Sequence, residues 1–124
     1  MLEALAAARA IVIGPSNPVI SIGPILAVPR LREALADAPA PVVAVSPLVG
    51  GEVLKGPTDV FMRWAGRTLD ADGIATAYDG VIDGLVADQR TDRVPVLETD
   101  VLMADAGGRR RVAEATLGFA EALR

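Results

Sequence analysis

The sequence predicts an α/β fold: a Rossmann-like, three-layer arrangement in which a parallel sheet lies between flanking helices. Two observations carry this. Short β-branched runs alternate with Ala- and Leu-rich amphipathic segments, the pattern of strands buried on both faces between helices. Each run also ends in Gly, Ser, Asp or another turn former, where a strand hands over to a loop. The composition agrees, since 52% of the 124 residues are hydrophobic and only 3% aromatic, enough for a core of Val, Ile, Leu and Ala. Residues 1–124 read as a single domain, with no internal repeat, linker or low-complexity tract.

Taken in order, MLEALAAARA opens the chain as a helix. Glu3 inside it and Arg9 near its end are unlike the basic front and apolar run of a signal peptide. The first strand is expected over Ala10–Ile13. Asn17 then suits a helix N-cap and Pro18 the first helical position, with Val19, Ile22 and Leu26 turned inward. A helix over Arg30–Ala38 puts Leu31, Ala34, Leu35 and Ala38 on one face, and the second strand follows at Val42–Val45. Pro57 again suits the first position of a helix, whose stripe of Val60, Phe61 and Trp64 is expected to pack on the sheet. Strands at Leu85–Asp88 and Pro95–Thr99 complete the set, and a last helix carries Val112, Ala115, Phe119 and Leu123 at helical spacing. Four strands and five helices could cover both faces of such a sheet. Because the chain opens inside an Ala/Leu pattern with no N-cap and no strand before it, an upstream partner is expected, making this one part of a larger doubly wound sheet.

Charge and missing residue types narrow the chemistry. A net charge of −4 and a pI near 4.7 give a field that repels a nucleic-acid backbone, while leaving room for a nucleotide held by a few local donors. With no Cys and no His, the chain lacks the usual zinc ligand sets, thiol nucleophiles, disulfides and imidazole bases. No apolar stretch reaches the length of a membrane span, so the expected setting is the cytoplasm, away from membranes, and a homo-oligomer is compatible with the sequence.

In an open parallel sheet, ligands bind at the carboxyl ends of the strands. The first loop there is Gly14, Pro15, Ser16, Asn17 and Pro18, and the amides of the following helical turn are expected to face outward as an anion site. A capped helix after a strand is the plainer reading of the same residues. The second loop runs from Ser46 to Pro57. Gly50 and Gly51 allow close approach of a ligand to the backbone, and Lys55 adds a cation that could hold a phosphate or simply be solvated. Neither loop is GxGxxG or GxxxxGK[ST]. Asp88 and Asp100 end the third and fourth strands at the same edge, where a turn or cap role competes with binding a metal, a ribose hydroxyl or a base N–H. Arg109, Arg110 and Arg111 stand at the start of the last helix, where the dipole disfavours cations unless an anion answers them.

Three ordered blocks resemble one family, the 2-phospho-L-lactate transferases. GPSNPVISIGPILAVPRLREAL (Gly14–Leu35) is similar to that family's GPSNP-x-x-SIGPIL block, VVAVSPLVGGEVLKGP (Val42–Pro57) to its VSP-x-x-GG-x-x-x-KGP block, and PVLETDVLM (Pro95–Met103) to the block before its last helix. The resemblance implies transfer of phospholactyl or enolpyruvyl phosphate from a guanosine diphosphate donor to the deazaflavin Fo in coenzyme F420 biosynthesis, releasing GMP with a divalent metal, Mg2+. It also implies that Gly14, Pro15, Ser16, Asn17, Ser21, Ser46, Gly50, Gly51 and Lys55 belong to the donor side. Phosphoryl transfer relies on positioning and charge neutralisation, so a chain without His or Cys can contribute to it. The family's members are longer and begin with a glycine-rich strand and turn, which carries the acidic residues for Fo and metal. The chain therefore matches the C-terminal part alone, and neither catalytic residues nor metal ligands can be assigned to it. A non-catalytic nucleotide-binding or regulatory module of the same fold, as in the related gluconeogenesis-factor proteins, and an inactive truncated fragment are the alternatives.

Overall fold

A computed structural model describes residues 1–54 and 56–124. Four strands, β1 (Ile11–Ile13), β2 (Val42–Val45), β5 (Gly84–Ala87) and β6 (Val96–Glu98), form one sheet in the order β1-β2-β5-β6, every pair parallel. A two-stranded antiparallel hairpin, β3 (Leu48–Val49) and β4 (Glu52–Val53), rises from the loop after β2. The helices are α1 (Leu2–Ala7), α2 (Gly23–Leu26), α3 (Leu31–Ala36), α4 (Thr58–Trp64), α5 (Ala71–Ala77) and α6 (Ala106–Ala122), with a π-helical turn at Pro18–Ile22 leading into α2. All four expected strands are present and parallel. The predicted α/β, Rossmann-like sheet with flanking helices is the fold observed.

Strand periodicity divides the core into two layers. Val42, Ala44, Leu85 and Ala87 point to one face, where they meet Leu26, Leu31, Leu35, Met62, Ile74 and Tyr78. Val43, Val45 and Val86 point to the other, against Val112 and Ala120 of α6. Because strand order in the sheet follows chain order, right-handed crossovers place the connecting helices on the first face, and α6 is left to cover the second. Gly84 allows α6 to come close: a Cβ there would stand 2.7 Å from both Phe119 and Leu123. Near β1, cover on the second face is incomplete, with Val12 45% and Leu117 52% exposed. Here the expectation of two fully covered faces is not met.

Two helices differ from the sequence expectation, and a further helix and the β3–β4 hairpin lie outside it. The stripe Val60, Phe61 and Trp64 does not pack on the sheet, since Val60 is 56% and Trp64 79% exposed; α4 turns Thr58 and Met62 inward. Thr58 and Met62 are also four apart, so spacing alone allows either face, and packing of Met62 into the core selects this one. Pro57 itself is the N-cap, one position before the expected one. In α6 the fully buried line is Val112, Thr116 and Ala120, with Ala115, Phe119 and Leu123 half-buried beside it. The helix α5 escaped notice because its Gly- and Asp-containing sequence is a poor helix former. It is stabilised by the Asp70 cap, whose Oδ1 accepts from the Gly73 amide at 2.9 Å.

Tyr78, 1% exposed and the single tyrosine, gives the first layer a pH limit. Burial pushes its phenol well above the ordinary 10.0 because the charged form would lose its hydration. The folded state then keeps its proton where the unfolded chain has lost it, so the stability present below pH 10.0 is progressively lost above it. Denaturant unfolding across alkaline pH should show this decline, and Tyr78→Phe should flatten it. An ordinary titration midpoint for tyrosinate absorbance in the folded protein would contradict the burial argument.

Candidate functional site

The carboxyl ends of β1, β2, β5 and β6 lie along one edge because all four strands run the same way. The loops that leave β1, β2 and β6 border an open cavity of about 620 Å³. Its walls are the segment after β1 with the π-helical turn, the Ser46–Pro47 turn with the hairpin, the start of α4, and Val101–Ala104 after β6. Of the residues assigned to the donor side, Pro15, Ser16, Asn17, Ser21 and Ser46 line it. Gly14 lines a separate apolar groove beside Val12 and Leu117, and Gly50 and Gly51 form the hairpin tip outside the lining. Lys55 lies outside the described residues.

The expected anion site on the amides after Asn17 is not free. Asn17 Oδ1 accepts from the Val19 and Ile20 amides at 2.9 and 3.1 Å, and the Asn17 carbonyl accepts from Ser21 and Ile22. Pro18 has no N–H. Every donor of that turn is therefore used by the cap, which is what an effective N-cap does. The sequence correctly places Asn17 as cap and Pro18 as first helical residue, and for that reason the amides cannot also cradle phosphate. What remains is side-chain chemistry. Asn17 is 8% exposed and its Nδ2 has no partner among the described residues, while Ser16 and Ser21 line the same cavity. A buried amide left without a partner is uncommon and calls for an explanation such as a water or a ligand.

The other walls are held from outside the cavity. Ser46 donates its amide to the Val86 carbonyl at 2.8 Å and accepts the Leu48 amide on Oγ at 3.1 Å, which turns the chain sharply into the hairpin. Val101–Ala104 is tied to α6 by Arg111, which donates to the carbonyls of Asp100 (2.5 Å) and Leu102 (3.1 Å) and lies 3.6 Å from the Asp100 carboxylate. Arg110 pairs with Glu114 one turn along the helix. Two of the three arginines at this helix start are thus answered by carboxylates of the chain itself. Asp100 also accepts the Leu102 amide, and Asp88 accepts that of Gly50, so both strand-end carboxylates brace turns. Among the described residues lining the cavity none is charged, and no three acidic side chains converge as a metal site. The described residues supply hydrogen bonds to a ligand and no ligand set for a metal.

The hairpin is an element the sequence signals only weakly: Gly50–Gly51 is a two-residue turn signal, but Leu48–Val49 and Glu52–Val53 are strands of two residues with almost no periodicity, so the segment reads as one long loop.

A parallel sheet whose carboxyl edge opens into a cavity between Pro- and Gly-rich loops places the chain among α/β, Rossmann-like domains. The family model described as 2-phospho-L-lactate transferase CofD matches residues 1–112, and the chain belongs to that family. A phosphoenolpyruvate transferase of Kitasatospora aureofaciens is 40% identical over 134 residues, covering 100% of this chain and 42% of the relative. A 2-phospho-L-lactate transferase of Methanococcoides burtonii is 42% identical, covering 77% and 30%, and one of Halobacterium salinarum is 44% identical, covering 85% and 31%. The chain thus spans less than half the length of these relatives.

The cap makes a measurable prediction. Asn17→Ala should lower stability by about 1–2 kcal/mol, since two amides lose their acceptor, while Asn17→Asp keeps an acceptor oxygen for both amides and should stay within about 0.5 kcal/mol of wild type. Urea unfolding of the three proteins compares them; equal losses in both variants would show that the amide group, and not the cap, matters for folding.

Proposed function

We propose that this chain is the donor-side portion, the C-terminal part, of a cytoplasmic transferase that moves a phospholactyl or enolpyruvyl phosphate group from a guanosine diphosphate donor to the deazaflavin Fo in coenzyme F420 biosynthesis. The observation that carries the reading is the buried, unpartnered Asn17 Nδ2 at a 620 Å³ cavity whose walls are the two motif loops. Family membership and the names of the relatives, a phosphoenolpyruvate transferase and 2-phospho-L-lactate transferases, support the reaction class.

In this reading the chain's own residues bind and orient. Asn17 Nδ2 and the hydroxyls of Ser16 and Ser21 donate to phosphate oxygens of the donor, holding the diphosphate at the sheet edge. The apolar walls, Val49, Val53 and Met103 among them, exclude water from the reacting phosphorus. Neutral donors position an anion without neutralising it, so charge compensation comes from a divalent metal, Mg2+, and from the part of the family fold beyond this chain. The same division of labour leaves Fo binding to that other part. A nucleotide-binding module without transfer is the second reading, and tight binding by this chain alone would favour it.

An NMR titration with GDP tests both. We expect weak, saturable binding, with a dissociation constant of about 0.1–1 mM, and shifts centred on Ser16, Asn17, Ser21 and Ser46. Asn17→Asp should weaken it at least about tenfold with stability preserved, because a carboxylate replaces the donor facing the phosphate. No shifts at millimolar GDP would refute the reading, and micromolar affinity would favour the self-sufficient module.

A further inference from the structure

We propose that Asp88 is a positioning residue for the cavity: from the end of β5 its carboxylate holds the tip of the β3–β4 hairpin, and so sets the wall against which a bound nucleotide lies. The inference rests on the nucleotide reading given above.

A hairpin with two residues per strand is not stable alone, so its place is decided by what holds it. Its root is fixed by Leu48, fully buried, and by the Ser46 amide on the Val86 carbonyl. Its tip is fixed by the Gly50 amide, which donates to Asp88 Oδ2 at 2.7 Å. Val86 and Asp88 are two residues apart on one extended run, so a single strand governs both root and tip. Gly50 and Gly51, with φ of +61° and +77°, form the left-handed turn that brings this amide round to the carboxylate. Gln89 passes close to the tip, since a Cβ at Gly51 would lie 3.1 Å from its Nε2, while its Oε1 accepts the Ala71 amide at the start of α5.

Between root and tip the hairpin contributes Val49 and Val53 to the cavity lining, with Leu54 directly after it. Any swing of the tip moves these side chains relative to Asn17 on the opposite wall. Among the described residues this is the one side-chain bond to the tip's amides, so the tip depends on an acceptor oxygen at position 88. The other oxygen, Oδ1, is buried with no partner among the described residues, a desolvation that a turn Asp facing water would not bear. That arrangement suits a carboxylate fixed in place by its one bond to Gly50.

The test uses this chain with Asp88→Ala and Asp88→Asn, reading amide exchange of Gly50 without ligand, GDP affinity by NMR titration, and thermal melting. We expect Asp88→Ala to speed Gly50 exchange and to weaken GDP binding, each about tenfold, with Val43 and Leu85 exchange unchanged. Asp88→Asn keeps an acceptor oxygen and should restore both to within about twofold of wild type. Unchanged Gly50 exchange in Asp88→Ala would overturn the clamp. So would an Asn variant as impaired in binding as the Ala variant, since charge at the ligand would then be the role. Failure of the wild-type chain to bind GDP would sink the nucleotide reading instead, and Gly50 exchange would still decide whether Asp88 holds the hairpin.

Discussion

The pairing of β2 with β5 is the constraint on which the rest depends. Both strands are buried along their whole length, and their alternate residues serve two separate layers of core. A slip of one residue would exchange Val43 and Val45 with Val42 and Ala44 and place every side chain in the wrong layer. The same ladder continues past the strand ends, where the Ser46 amide meets the Val86 carbonyl and the Gly50 amide meets Asp88. Register in the core therefore carries directly into the geometry of the cavity.

The cavity is assembled from turns that spend their polar groups on one another. Asn17 caps its own turn, Ser46 caps the hairpin root, Asp100 and Arg111 close the segment after β6. Each bond of this kind fixes a wall but removes a donor or acceptor that a ligand could have used. Among the described residues the consequence is a neutral cleft in which Asn17 Nδ2 is left without a partner. Under the proposed reading such a cleft positions an anion better than it neutralises one.

The two faces of the sheet are unequal for a topological reason. With strands laid down in chain order, the crossovers all pack on the first face, and α6 alone returns to the second. Val12 and Leu117 remain exposed there around an apolar groove that also includes Val45 and Ala113. Trp64, exposed on α4, is a second departure from simple hydrophobic burial on the other side of the molecule.

The sequence by itself determined the four strands, their parallel course, the edge on which the loops gather, the Asn17–Pro18 helix start and the family. Those features rest on local rules: β-branched runs, cap chemistry and motif spacing each act within a few residues. The tertiary structure decided what spacing leaves open. It chose Thr58 and Met62 over Val60 and Trp64 as the inward face of α4, because both pairs are four apart and only packing distinguishes them. It formed α5 against its weak propensity by burying Ile74 and Tyr78, and it folded the Gly50–Gly51 loop into a hairpin held by Asp88, a residue 38 positions away. It also withdrew the amides after Asn17 from ligand binding, since the same side chain that marks a helix start in sequence satisfies those amides in space.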